Sequence, residues 1–270
     1  SLLPRDNDMT HAPRSLPPPR TRIHSPRAGE SPLALEDADS LAVCRVLRLR
    51  PGDSVAGFNG DGIEYHYRIA QITRGGLLLE LERSEPNPRD AFPPTAVFAA
   101  ATKGKTKDRA ARDLPPLGVT RLVFYRAGRT IGEPSDAAAP RLQKIAAEAC
   151  RQCGRSTIPA VEVRNLSLPE LHQAGEFTSR QTLLFWEAAG DTDPWSSLSP
   201  NGPLTLIFGP EGGFSPEEIA WLQTLEIPVA SLGRRILRAE LAAVVGLTLV
   251  QARRGLFTQS AGSALGRGNL

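Results

Sequence analysis

The chain has 270 residues, a formal net charge of +3 and three cysteines. This length suits one or two domains with real cores, the charge alone does not argue for nucleic-acid binding, and so few cysteines argue against a disulfide framework and fit a reducing compartment. No leader of the secretory type opens the sequence, no internal repeat is visible, and the longest apolar run, 241–250, is far too short to span a bilayer, so the expectation is a soluble cytoplasmic protein.

Residues 1–20 are polar and proline-rich and are read as a flexible tail. Residues 21–88 are read as a small β-barrel domain. A short helix is expected over 37–45, then a turn at Arg50-Pro51-Gly52-Asp53 and strands over 54–58, 63–72 and 77–81. Asn59-Gly60 and Asp61-Gly62 are strong hairpin signals between the first two strands. Prolines 86, 88, 93 and 94 mark a linker.

Residues 93–258 alternate strands and helices, the pattern of an α/β domain with a parallel sheet. Strands are expected over 95–101, 121–125, 159–163, 182–186, 204–208 and 229–232, with helices over 138–151 and 241–250 and a loop over 191–202. Lys103, Lys105, Lys107 and Arg109 form a dense basic run just past the first strand, where they are expected to neutralise RNA phosphates. Pro115-Pro116 must shorten or kink a helix that follows this basic run. Cys150-Arg-Gln-Cys153 has the spacing of a metal or redox pair, but no second pair or nearby histidine completes a zinc site, so no metal is expected. His11, His24, His66 and His172 lie outside every motif, which argues against a histidine mechanism. Residues 259–270 form a tail rich in Gly and Ser.

Two loops stand out. Leu204 to Phe208 is an apolar run of the kind covered on both faces, followed by Gly209-Pro-Glu-Gly-Gly-Phe-Ser215 and a helix start. Ser215, Pro216 and Glu218 give that start an N-cap, a proline at the first helical position and a capping box. A glycine loop between strand and helix usually takes phosphate, but Glu211 would repel one, and neither a P-loop nor a G-x-G-x-x-G pattern is present. The second loop, Ser231-Leu-Gly-Arg-Arg-Ile-Leu-Arg-Ala-Glu240, follows another short strand and interleaves Ile236 and Leu237 with Arg234, Arg235 and Arg238. Both loops sit where ligands bind in α/β sheets, past the carboxyl ends of strands.

These two stretches resemble the E-type small-subunit ribosomal RNA methyltransferases of the SPOUT superfamily. Glu148-Ala-Cys-Arg-Gln-Cys-Gly-Arg155 with Ile158-Pro159 is similar to a third motif of that family, and Val46-Leu-Arg-Leu-Arg-Pro-Gly-Asp53 to its amino-terminal signature. The four matches run in order from Val46 to Glu240. The resemblance implies a PUA-like barrel over 21–88 that helps grip RNA, and a trefoil-knotted domain over 93–258. It implies transfer of a methyl group from S-adenosylmethionine to N3 of a uridine in 16S rRNA, by a homodimer. Backbone groups of Gly209, Gly213, Leu232 and Gly233 are then expected at the adenine edges, with Ile236 and Leu237 on its face. Phe208 and Gly212 join this pocket, and Glu211 has the sign for a cationic sulfur. Arg238 is expected to stabilise charge on the uracil oxygens, and Glu240 to take the N3 proton or orient Arg238. Arg129 carries over as an RNA contact, with Gln152 and Arg155 at the active-site edge.

The chain departs from the family pattern at Ala42, Pro115-Pro116, Ala239 and Leu241. The departures at Pro115-Pro116, Ala239 and Leu241 motivate a second reading, an RNA-binding ribosome-assembly factor of the same fold without catalysis. A third reading, a nucleotide-binding α/β enzyme, is opposed by Glu211.

Overall fold

The structure is a computed structural model and describes residues 21–36, 46–102, 105–130, 134–178, 181–189 and 199–257. The two expected tails, the short helix over 37–45 with Ala42, Lys103 and most of the expected 191–202 loop lie outside these residues. No helix of the described residues is long and apolar enough to cross a membrane.

The first sheet has five strands, β1 (Arg22–His24), β2 (Leu33–Leu35), β3 (Ser54–Phe58), β4 (Ile63–Ile72) and β5 (Leu77–Pro86), in the order β1-β3-β4-β5-β2. β3 and β4 form the hairpin that the two Asx-Gly pairs announce. Gly60 and Gly62 both have positive φ, +106° and +87°, the region glycine enters without a Cβ clash. Ile23, Leu33, Val55, Tyr67, Ile69 and Leu79 point from alternate positions into one core. β5 runs five residues past the end its apolar pattern suggests. Its second half is exposed on both faces, yet its backbone still pairs with β4, Pro86 opposite Ile63.

The second sheet is six-stranded and wholly parallel. It comprises β6 (Thr95–Ala100), β7 (Arg121–Tyr125), β8 (Ala160–Val163), β9 (Thr182–Phe185), β10 (Leu204–Phe208) and β11 (Val229–Ala230), in the order β11-β9-β10-β6-β7-β8. The helices are α1 (Thr106–Asp113), α2 (Ala139–Cys153), α3 (Leu168–Gln173), α4 (Pro216–Thr224) and α5 (Ala239–Arg253). Every residue of β10 is buried because both faces are covered. Leu206 and Phe208 meet Ala111, Leu142 and Leu247 of α1, α2 and α5. Ile207 faces the other way, toward Leu171 of α3, Phe177 and Leu222 of α4.

As the prolines require, α1 stops at Asp113 and Pro115–Leu117 makes a single 3-10 turn. β11 is two residues long rather than four, and it pairs only with Leu184 and Phe185 at the end of β9. After β11, at the sheet edge, α5 returns to pack on β6, β10 and α1.

A buried polar network joins the two sheets. Arg22 of β1 donates from Nη1 to the carbonyls of Cys150 (3.1 Å) and Arg155 (3.0 Å) at the end of α2. Its Nη2 donates to Glu64 Oε2 and Ser156 Oγ, both at 3.0 Å. A cation suits the carbonyl end of a helix, and the guanidinium also lies 4.6 Å over the Phe58 ring. Arg155 is not at an active-site edge, contrary to the sequence expectation. It is 6 % exposed, its Nε donates to Asp90 Oδ1 (3.0 Å), and its Nη1 donates to the carbonyls of Pro115 (2.7 Å) and Val119 (2.8 Å). Asp90 Oδ2 in turn accepts from the Ser156 and Thr157 amides at 2.7 and 2.8 Å. Such an arginine has no guanidinium free for an RNA phosphate. Arg155→Ala leaves Asp90 buried without its cation, so urea denaturation should show a loss of about 3–5 kcal/mol; a loss well below 1 kcal/mol contradicts this role.

Candidate active site

Three adjacent parallel strands, β11, β9 and β10, end side by side and deliver their loops to one place. β9 contributes Phe185, Trp186 and Glu187, β10 contributes Phe208, Gly209, Pro210, Glu211, Gly213 and Phe214, and β11 contributes Leu232, Gly233, Arg235, Ile236 and Leu237. Ala239 and Ala242 of α5 close the cleft. Its floor is the Phe185–Phe208 ring pair, stacked at 4.7 Å and 4°.

The glycines make close approaches possible. A Cβ on Gly209 would lie 2.9 Å from Phe214 Cε2, and one on Gly213 would lie 3.0 Å from Glu187 Oε1. Gly213 has φ +70° and closes a turn through its amide to the Pro210 carbonyl at 2.9 Å. The loop ends in the capping box read from sequence: the Glu218 amide donates to Ser215 Oγ (3.2 Å), and the Ser215 amide donates to Glu218 Oε2 (2.8 Å). Glu218 Oε1 also accepts from the Gly128 amide at 2.8 Å, tying the loop after β7 to the glycine loop. Arg129, on that tied loop, donates from Nη1 to the Gly212 carbonyl. Gly212 therefore serves as an anchor for Arg129 and does not line the cleft.

A second hollow adjoins the first, lined by Thr106, Arg109, Glu211, Ile236, Leu237, Arg238 and Glu240. Glu211, Ile236 and Leu237 line both and form the wall between them. Arg238 is the exposed N-cap residue of α5, in extended backbone. Glu240, in the first turn of the helix, is mostly shielded, and its Oε1 accepts from Arg109 Nη1 at 2.8 Å. Its Oε2 is buried without a partner.

The other residues expected at RNA are scattered. Lys105 is exposed at the start of α1. Lys107 turns inward, its Nζ donating to the Thr102 carbonyl at 2.6 Å, and burial lowers its pKa. Gln152 is exposed on the last turn of α2 and lines neither hollow. In the same turn Cys150 is buried and its thiol is pushed up to about 12 by desolvation, which leaves it a packing group with little thiolate.

Of the residues placed at the cofactor from sequence, Phe208, Gly209, Glu211, Gly213, Leu232, Gly233, Ile236 and Leu237 do line one cleft. Phe185, Trp186, Glu187 and Arg235 line it as well, and no motif in the sequence marks the first three. The rule of strand ends applied to 182–186 would have found the first three, but only strand order puts that end between the other two. The cleft fits S-adenosylmethionine chemically: an aromatic floor, backbone open to a flat base, and two carboxylates for a positively charged ligand. Gly246 sets the floor. A Cβ there would lie 2.7 Å from Phe208 Cε1 and Cζ and 3.0 Å from Phe185 Cζ. Overpacking costs about 1–3 kcal/mol, against about 1 kcal/mol that alanine gains over glycine in a helix. Gly246→Ala should therefore push the rings toward the cleft, and calorimetry should show S-adenosylmethionine bound about tenfold more weakly; unchanged affinity contradicts the floor assignment.

The match to known proteins covers both halves. Residues 90–251 fit the family described as RNA methyltransferase domain, and residues 43–82 the family described as RNA methyltransferase PUA domain. The chain is 29% identical over 226 residues to ribosomal RNA small subunit methyltransferase E of Mycobacterium bovis, covering 81% of this chain and 86% of that protein. It is 28% identical over 232 residues to the protein of the same name in Helicobacter pylori strain J99, covering 85% and 98%. Among solved structures it is similar to a Legionella pneumophila protein described as a methyltransferase with bound S-adenosylmethionine (TM-score 0.74, 27% identity, 86% and 98% covered). It shares its fold with ribosomal RNA small subunit methyltransferase E of Neisseria gonorrhoeae (TM-score 0.72, 21% identity, 86% and 97% covered). A family fit across well over half its length, on a parallel α/β domain with a cofactor cleft beside a PUA-like sheet, shows that this chain belongs to the RNA methyltransferase family.

Proposed function

We propose that the protein methylates N3 of a uridine in the RNA of the small ribosomal subunit, in the cytoplasm, with S-adenosylmethionine as donor. The observation that carries this reading is the pair of adjoining hollows that share a wall at Glu211, Ile236 and Leu237. One suits the donor. The other holds an arginine and a carboxylate suited to an acceptor base.

The donor supplies a methyl group on a positively charged sulfur. The acceptor nitrogen carries a proton and becomes a good nucleophile only when that proton leaves. Arg238, exposed at the head of α5, offers its guanidinium to the uracil oxygens as charge develops on them. Glu240 lies two residues on, held through Oε1 by Arg109, and is the nearest carboxylate in sequence to accept the proton. Arg109 thereby has a partner inside the site, while Lys105 remains free to meet RNA phosphates. The name shared by the bacterial relatives supports ribosomal RNA of the small subunit as substrate, and the likeness of the sequence motifs supports uridine N3.

A homodimer belongs to the same proposal. Ile236 is 88% exposed, and Leu241 and Leu249, two turns apart on α5, are 47% and 42% exposed. Apolar side chains so exposed beside the site suit a second copy of the chain. Sedimentation tests this, a monomer at micromolar concentration being the contrary result.

Arg238→Ala should retain S-adenosylmethionine binding by calorimetry and lose methyl transfer to small-subunit RNA by about 100-fold or more. Normal turnover by this variant removes Arg238 from the mechanism. Wild-type protein that binds the RNA and transfers no methyl group would instead fit an assembly factor without catalysis.

A further inference from the structure

Only three charged side chains line the donor cleft among the described residues: Glu187, Glu211 and Arg235. All three are exposed. No ion pair holds any of them to another described residue. S-adenosylmethionine also carries three charges, a sulfonium, an ammonium and a carboxylate, two positive and one negative. The cleft offers two negative and one positive.

Position decides which carboxylate meets which cation. Glu211 lines both the donor cleft and the acceptor hollow, whereas Glu187 and Arg235 line the donor cleft alone. The sulfur bearing the transferable methyl must lie at the border of the two, because the methyl carbon has to reach the acceptor base. The amino-acid end of the donor has no such requirement. Glu187 follows β9 between the two glycine-bearing loops, and its Oε1 crosses above Gly213, 3.0 Å from where a Cβ would stand. The missing side chain at Gly213 leaves that carboxylate room to lean into the cleft.

Resting on the function proposed above, we infer that the cleft divides the donor's charges: Glu211 faces the sulfonium, Glu187 binds the ammonium, and Arg235 binds the carboxylate. Glu187 and Arg235 then read the amino-acid tail, and Glu211 distinguishes the methylated donor from its neutral-sulfur product. This makes Glu187 a specificity residue for the cofactor.

Isothermal titration calorimetry of the full chain with four compounds tests the assignment. They are S-adenosylmethionine, S-adenosylhomocysteine, decarboxylated S-adenosylmethionine and 5′-methylthioadenosine, which lacks the amino-acid tail. Glu187→Gln should weaken the first three about tenfold, the size of one charge-assisted hydrogen bond, and leave methylthioadenosine unchanged. Arg235→Gln should weaken only the two compounds that retain the carboxylate. Glu211→Gln should weaken the two sulfonium compounds and spare S-adenosylhomocysteine. Equal loss for all four compounds in Glu187→Gln, or no loss for any, overturns the assignment while the wild-type affinity for S-adenosylmethionine leaves the proposed function standing. Failure of the wild type to bind S-adenosylmethionine overturns both.

Discussion

All six strands of the larger sheet run the same way, so each delivers its following loop to one edge. The site depends on this constraint. β9 lies between β10 and β11, and the loops after those outer strands meet over its end. Glycines then let the loops approach rings and carboxylates that a Cβ would displace. Nothing in the loops themselves brings residues 209–215 to 232–237; the strand order does.

Much of this architecture was legible because it is local. β7 and β10 have the bounds that their apolar runs suggest, and the start of α4 is capped by the Ser215–Glu218 pair read from sequence. The same logic would have found α3, where Ser167 and Glu170 form a second capping box with a proline in the first turn. What was not legible depends on distant neighbours. Glu187 is an unremarkable acid until strand order sets its position. The second half of β5 has no apolar pattern, since only its backbone is used. Arg155 looks like a surface cation in sequence, yet the approach of two sheets buries it against Asp90.

The departures from the family pattern now have physical settings. Pro115-Pro116 ends α1 early, and the carbonyls of Pro115 and Val119 on either side of the resulting turn accept from Arg155. The same arginine thus settles the shortened helix and the joint between the sheets. Ala239 lines the donor cleft, where a small side chain leaves room. Leu241 stands exposed on α5 beside the site, where it supplies apolar surface and no hydrogen bond. None of these changes removes the shared wall, or Arg238 and Glu240 from the second hollow.

Two loops are proposed to hold one methyl donor with its sulfur at the border of two hollows. A crystal structure of the chain with S-adenosylmethionine should show adenine between the Gly209 and Leu232 loops over the Phe185–Phe208 floor, sulfur beside Glu211, and the methyl carbon directed toward Arg238 and Glu240. A donor bound elsewhere, or seated in the cleft with its methyl group turned away from that hollow, would contradict this.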